Sequence, residues 1–321
     1  MLFDTQLTDP LESISAEAVK AEEAGYDAAW RPEIRDDPFL SLTAAAQRTA
    51  SIRLGTGVAI AFARSPMIVA YAAHGLQRLS GGRLLLGLGT QIRPHITNRF
   101  SMPWSEPAAR MREYVEALRS IWNGWNGAPV EPFRGRFYTH SLMTPEFTPP
   151  ASPSGPPPIY LAAVGTRMLE VCGTVADGWL AHPFCTADYL RTVGVPTIAQ
   201  ARAEAGRSTE TFEIAQSVFA ARDDLDVAAV RHRIAFYAST PSYRAVLALH
   251  GYGDLQEETR ALTKAGRWNE LSALVDDQLL SLMCVMGNEA SARAEAAARF
   301  GDLTQRVHLA YPTPAQRQRF A

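Results

Sequence analysis

Lysine is almost absent from this 321-residue chain. Of its 31 basic residues only Lys20 and Lys264 are lysines, and both sit in helical patterns, AEAVKAEEAG and EETRALTKAG, away from any strand end. A Schiff-base lysine, or a phosphate site built on lysine, is therefore not expected. Cysteine is scarce: Cys172, Cys185 and Cys284 are odd in number and far apart, and no CxxC occurs. That points away from a disulfide framework. No HxH or HExxH is present, so no metal site is expected. Neither a GxxxxGK[ST] loop nor a GxSxG elbow occurs. Formal net charge is −2, with no basic block and no acidic tail. Neither nucleic-acid binding nor a membrane-surface role has electrostatic support. No window approaches the ~20 apolar residues of a membrane span. The N-terminus MLFDTQLTDP lacks the basic region and apolar core of a signal peptide. The expectation is a cytoplasmic, soluble protein acting on a small molecule.

What is present concentrates in residues 52–94, IRLGTGVAIAFARSPMIVAYAAHGLQRLSGGRLLLGLGTQIRP. Ile52–Ile60 and Arg83–Gly89 are short, nearly continuous apolar runs. Such runs suit strands covered on both faces, as in a parallel sheet. Between them Ser65 is placed to cap a helix, with Pro66 at its first position. Ile68, Ala72, Leu76 and Leu79 recur at helical spacing, and Ser80-Gly81-Gly82 ends the helix. Gly55, Gly57, Gly87 and Gly89 fall near the ends of the two strands. Ligands gather at strand ends in parallel α/β proteins. The four glycines are read as a wall where a flat ligand approaches the backbone; tight packing of the barrel interior is the alternative. GTGVAI and GLGTQI are poor dinucleotide fingerprints, because the third glycine is missing and neither opens a helix.

The same alternation runs along the chain. Leu2–Thr8 reads as a first strand, Asp9-Pro10-Leu11-Glu12 as a helix start, and Tyr26–Arg31 as a second strand. Asp37-Pro38 opens a second helix. Met111, Tyr114, Val115, Leu118, Ile121 and Trp122 form one stripe of a long amphipathic helix. Residues 126–158 hold nine of the 21 prolines. They read as an inserted excursion with a short hairpin around Phe133–Tyr138; a disordered linker between domains is the alternative. Ile159–Val164, Gly178–His182, Phe212–Ala221 and Arg306–Tyr311 read as strands five to eight, and residues 225–300 as mostly helical. Eight strands alternating with helices predict a (β/α)8 barrel in one domain spanning 1–321. A doubly wound open sheet is the alternative.

Gly165-Thr166-Arg167 follows strand five and opens a helix. Exposed amides and the helix dipole favour an anion such as a phosphate there, and Arg167 adds donors. A plain βα turn is the alternative. Glu33 ends strand two, His95 lies in the loop after strand four, and His182 ends strand six. These three are the candidate acid–base groups. His74, His232 and His250 read as packing or surface residues, and Cys185 has no evident base.

The segments EEAGYDAAW, RLGTGVAIAFARSP, LQRLSGGRLLLGLGTQ and PPPIYLAAVGTRMLEVCGTVADGW together resemble the luciferase-like monooxygenase superfamily. Within it they resemble the coenzyme F420-dependent oxidoreductases, and the resemblance covers nearly the whole chain. It implies a (β/α)8 TIM barrel, usually a homodimer, with a flavin or deazaflavin at the C-terminal mouth. It implies a non-proline cis peptide after strand three, here Gly57–Val58. Further cofactor contacts would come from Gly89, Thr90 and Gln91 after strand four. The phosphate end would lie at Gly165, Thr166 and Arg167, with Ala163 and Val164 also among the cofactor contacts. Two departures stand out. The reactive cysteine and phosphate-binding arginine of bacterial luciferase match Gly89 and Thr90 here. The Asp-His pair of the family's sugar-phosphate dehydrogenases is replaced by Arg31-Pro32-Glu33. The resemblance thus implies an F420-dependent oxidoreductase passing a hydride between deazaflavin C5 and a small organic substrate. A separate reductase would supply reduced cofactor. An FMN-dependent monooxygenase using O2, and a non-catalytic flavin-binding protein, are the alternatives. The loops at 93–106, 126–158 and 183–197 would select the substrate.

Overall fold

The structure, a computed structural model, describes residues 1–129 and 131–320. Eight parallel strands close into a ring. They are β1 (Leu2–Gln6), β2 (Ala28–Arg31), β3 (Arg53–Thr56), β4 (Leu84–Gly89), β5 (Ile159–Ala163), β6 (Gly178–Ala181), β7 (Glu213–Ala221) and β8 (Arg306–Ala310). Each pairs with the next, and β8 returns to pair with β1. Parallel neighbours need a crossover. Helices supply it: α1 (Ile14–Glu23), α2 (Pro38–Ala46), α3 (Pro66–Leu79), α4 (Pro107–Trp125), α5 (Thr166–Val175), α6 (Val195–Glu204), α7 (Asp224–Ala238) and, before β8, α8 (Glu289–Phe300). This is the (β/α)8 barrel that the alternation predicts.

Local chemistry explains most helix starts. Asp37 caps α2 by accepting from the Phe39 amide at 2.8 Å, with Pro38 at the first position. Ser65 caps α3 in the same way. The start of α1 differs from expectation. Asp9–Glu12 forms a turn closed by Ser13 N–H on the Pro10 carbonyl, and the helix begins at Ile14. Glu17 instead reaches back to the Thr8 and Asp9 amides, so these donors are satisfied without a helix at Pro10.

The expected stripe of α4 is buried, but that of α3 is rotated. Val69, Ala70, Ala73 and Leu76 face the core, whereas Ile68 is 59 % and Leu79 47 % exposed. Contacts with α4 and the proline-rich segment set this angle. Trp122 donates to the Ala70 carbonyl at 3.2 Å, Tyr71 to Phe147 at 2.6 Å, and His74 Nε2 meets the Pro150 carbonyl at 2.9 Å. The proline-rich segment carries a hairpin, Phe133–Arg134 against Thr139–His140. Glu113 of α4 pins it by accepting from the amides of Arg136, Phe137 and Tyr138. Position 130 lies outside the described residues. One element is absent from the expected pattern. Cys284–Met286 forms a short parallel strand on the end of β7, outside the ring. Three residues between helices are too few to display a period of two.

The barrel interior carries a polar layer. Arg306 of β8 makes two hydrogen bonds to Asp4 of β1, both 2.9 Å, and both side chains are 1 % exposed. Trp30 Nε1 donates to Asp4 at 2.8 Å, and the Trp30 ring meets Tyr160 edge-on. Tyr160 donates in turn to Glu213. Burial pushes the Asp4 carboxyl above its usual range while Arg306 pulls the other way. Two of the four glycines serve this layer rather than a ligand. A Cβ on Gly55 would fall 2.1 Å from the Trp30 ring, and one on Gly87 would fall 2.0 Å from the Thr56 carbonyl oxygen. Tight interior packing excludes a side chain at both.

Candidate active site at the barrel mouth

Because the strands are parallel, their C-terminal ends gather at one mouth. A cleft of about 1240 Å³ opens there, with Asp4, Gln6 and Trp30 among its lining residues. One wall comes from β3 and β4. The Gly57–Val58 peptide is cis, at the bond the family resemblance indicates. Arg31 accepts from the Gly57 amide at 2.8 Å, and the Glu33 amide donates to the Val58 carbonyl at 3.3 Å. A Cβ on Gly89 would fall 2.7 Å from Val58 Cγ2, so glycine there lets Val58 lean against β4. Thr90 and Gln91 continue this wall. Gln91 turns the chain at φ +59° while its side chain accepts from the Ile92 amide at 3.0 Å.

The next strand leads into an open helix start. The carbonyls of Ala163 and Val164 are engaged by Trp179 Nε1 at 2.9 Å and Tyr189 Oη at 2.6 Å. These bonds fix the turn before α5. Gly165 is the N-cap, and the Met168 and Leu169 amides return to its carbonyl. The Thr166 and Arg167 amides have no hydrogen-bond partner among the described residues. Donors at a helix start attract negative charge. A Cβ on Gly165 would meet nothing within 4 Å, so the space in front of this turn is open.

The three acid–base candidates are not brought together. His95 is exposed on a π-helical turn and is not among the cleft-lining residues. Glu33 lines the cleft, but its carboxylate is engaged. It accepts from Arg64 and from the Ile60 amide, both at 2.7 Å. It therefore ties β2 to the segment just beyond the cis peptide. His182 is half-buried in the cleft, with Tyr237 and Tyr243 against its ring. The Phe184 amide donates to its Nδ1 at 3.1 Å, which leaves the ring proton on Nε2. Burial and then the charge of Arg233 push its pKa down to about 3. The neutral ring is thus a hydrogen-bond donor through Nε2. Burial pushes the Cys185 thiol up to about 12, so it is inert as a nucleophile.

Spacing along the sequence did not reveal the far wall. His308 of β8 shares a hydrogen bond with Ser217 of β7 at 3.1 Å, and Arg233 of α7 reaches the same region. His308 sits within a strand, where a polar residue in an apolar run is a usable signal. Arg233 lies mid-helix and carries none.

A parallel eight-strand barrel with a backbone wall, an open helix start and a large cleft at its mouth has the architecture of a barrel enzyme. Residues 3–305 match the luciferase-like monooxygenase family. An uncharacterized protein of Mycobacterium tuberculosis is 48% identical over 291 residues, covering 89% of this chain and 86% of its own. The 5,10-methylenetetrahydromethanopterin reductase of Archaeoglobus fulgidus is 29% identical over 278 residues, covering 83% and 80%. The solved structure of a coenzyme F420-dependent tetrahydromethanopterin reductase from Methanopyrus kandleri superposes with a TM-score of 0.78 at 23% identity, covering 99% of this chain and 95% of that one. The chain belongs to the luciferase-like monooxygenase family, a family of oxidoreductases.

Proposed function

We propose that this protein is a coenzyme F420-dependent oxidoreductase acting on a small organic substrate. The observation that carries the reading is the adjacency of two features in one cleft. A flat backbone wall at Gly57–Val58 and Gly89 stands beside an open helix start at Gly165–Arg167, on the consecutive strands β3, β4 and β5. A flat ring system with a phosphate-bearing tail fits that pairing. A mycobacterial relative, 29% identical and named a putative coenzyme F420-dependent oxidoreductase, supports the choice of deazaflavin, as does the absence of an arginine or cysteine at Gly89 and Thr90.

When bound, the deazaflavin supplies a hydride donor or acceptor at C5. The chain does the rest. The Gly57–Val58 peptide, with Val58 leaning into the space that Gly89 leaves, would face the ring. The Thr166 and Arg167 amides hold the phosphate, with the Arg167 side chain beside them. Gln6, Thr90 and Gln91 orient polar edges. His182 offers Nε2–H to a substrate oxygen and so stabilises charge developing there. Glu33 is a positioning residue that holds the Ile60 amide and Arg64 behind the wall.

Fluorescence titration with F420 and with FMN tests the reading. F420 is expected to bind saturably, with no oxygen consumption during turnover. Tight FMN binding without F420 binding would replace it with an FMN-dependent monooxygenase supplied by a separate reductase. Binding of F420 without turnover of any substrate would leave a carrier.

A further inference from the structure

Nothing in the function proposed above uses Arg233. It projects from α7 into the cleft where β7 and β8 end. Its Nη1 donates to the Ala310 carbonyl at 2.8 Å, and the guanidinium lies over the Phe219 ring, 4.9 Å from the centroid. These two contacts fix its plane. Nε and Nη2 have no hydrogen-bond partner among the described residues. They are not sealed from solvent as Arg31 Nε is. Among the described residues no carboxylate stands near enough to pair with it, and burial holds the guanidinium below its usual pKa. Other arginines of the barrel are paired, Arg306 with Asp4, Arg64 with Glu33 and Asp37, and Arg31 with Asp36, or, like the buried Arg110 and Arg202, spend donors from both Nε and the terminal nitrogens on carbonyls or a tyrosine hydroxyl. The acids lining the cleft are all committed elsewhere, Asp4 to Arg306, Glu33 to Arg64 and Glu106 to Arg136.

A mostly buried guanidinium without a counter-ion is costly. The Nε/Nη2 edge is the side of the fork that takes a carboxylate through two parallel hydrogen bonds. His182, with its Nδ1 taken by the Phe184 amide and Nε2–H available, lines the same cleft, as does the neutral ring of His308, which shares a hydrogen bond with Ser217. Tyr237 and Tyr243 add flat apolar surface. The cluster stands on the β6–β8 side of the cleft, whereas the wall and helix start assigned to the cofactor belong to β3–β5. The geometry points to Arg233 as the anchor for a carboxylate of the substrate, whose flat, unsaturated body lies beside Tyr237 and Tyr243. The substrate class is a small aromatic or unsaturated carboxylic acid. This assignment rests on the F420 reading, in that it gives the β7–β8 side of the cleft to substrate.

The test is calorimetric titration of the full chain, with and without F420, using benzoate, benzamide and inorganic phosphate as probes. Benzoate is expected to bind about 10-fold or more tightly than benzamide, which has the same shape without the charge. Arg233→Met should weaken benzoate about 10-fold or more and leave F420 affinity within about twofold. Arg233→Lys should fall between, because a point charge replaces the fork. If Arg233→Met does not fold, Arg233→Lys carries the comparison. Equal binding of benzoate and benzamide, or unchanged benzoate binding in the variants, overturns the assignment. Phosphate binding tighter than benzoate also overturns it and makes a phosphate ester the substrate. Loss of F420 affinity with benzoate unaffected overturns it in favour of a cofactor contact. A wild-type protein that ignores F420, yet binds benzoate through Arg233, sinks the F420 reading and leaves the carboxylate site standing.

Discussion

The imidazoles of His182 and His308 stand beside Arg233, with Tyr237 and Tyr243 against His182 and Ser217 bonded to His308. Burial, and secondarily the charge of Arg233, hold both neutral, with pKa values of about 3 and about 4. In the unfolded chain each protonates near the ordinary value of about 6.5. Below that pH the unfolded chain binds more protons than the folded one. The stability contribution is therefore complete above about pH 6.5, declines as the pH falls below it, and is fully lost once the pH has passed about 4 and then 3. The limiting slope is about 1.4 kcal/mol per pH unit for each fully protected histidine. Urea denaturation at pH 7 and pH 5.5 is expected to show a larger loss for wild type than for the His182→Gln/His308→Gln pair. Equal losses would assign the pH dependence to other groups. The same residues mark a limit of sequence reading. His182 was legible as a strand-end polar residue. The partner that engages Glu33 was not, because Arg64 lies 31 residues away and only the fold brings them together.

At the scale of elements, glycines in similar sequence settings divide by what their missing side chain makes room for. Gly165 faces open space, whereas Gly87 faces the Thr56 carbonyl oxygen inside the barrel. Gly165→Val is expected to leave the urea midpoint nearly unchanged and to weaken F420 binding at least about 10-fold, since its side chain would fill the ligand's place. Gly87→Ala is expected to destabilise the fold by about 1–3 kcal/mol, as overpacked cores do. Parallel changes in stability and binding for Gly165→Val would make that turn purely structural. Strands were legible because burial on both faces leaves a continuous apolar run, as in Leu84–Gly89. Helix starts were legible where a cap and a proline coincide, as at Asp37 and Ser65. The buried face of α3 was not, because its apolar residues nearly encircle it and its neighbours choose the side. Gly55 and Gly87 looked equivalent to Gly57 and Gly89 for a similar reason: a sequence shows a missing side chain but not what occupies the space.

The whole molecule closes where β1 meets β8, and the buried pair at that seam joins residues 302 positions apart. Asp4 and Arg306 are each nearly inaccessible, and Trp30, Tyr160 and Glu213 extend the layer to β2, β5 and β7. Such a pair returns little net stability, because desolvation offsets the attraction, but removing one partner strands the other. The two losses should not be equal. Asp4 without Arg306 can take up a proton, since burial already pushes its carboxyl upward. Arg306 without Asp4 cannot lose its charge, and its remaining acid, Glu213, stands 3.7 Å away and already accepts from Tyr160. Asp4→Leu is therefore expected to cost about 3–5 kcal/mol by urea denaturation, and Arg306→Met measurably less. The double variant should recover much of the Asp4→Leu loss, because no charge is then left buried at the seam. A double variant as unstable as the sum of the singles would mean that the pair closes the barrel by its own attraction. Recovery would instead assign closure to the apolar packing and strand pairing around the ring, with the ion pair setting how β8 registers against β1.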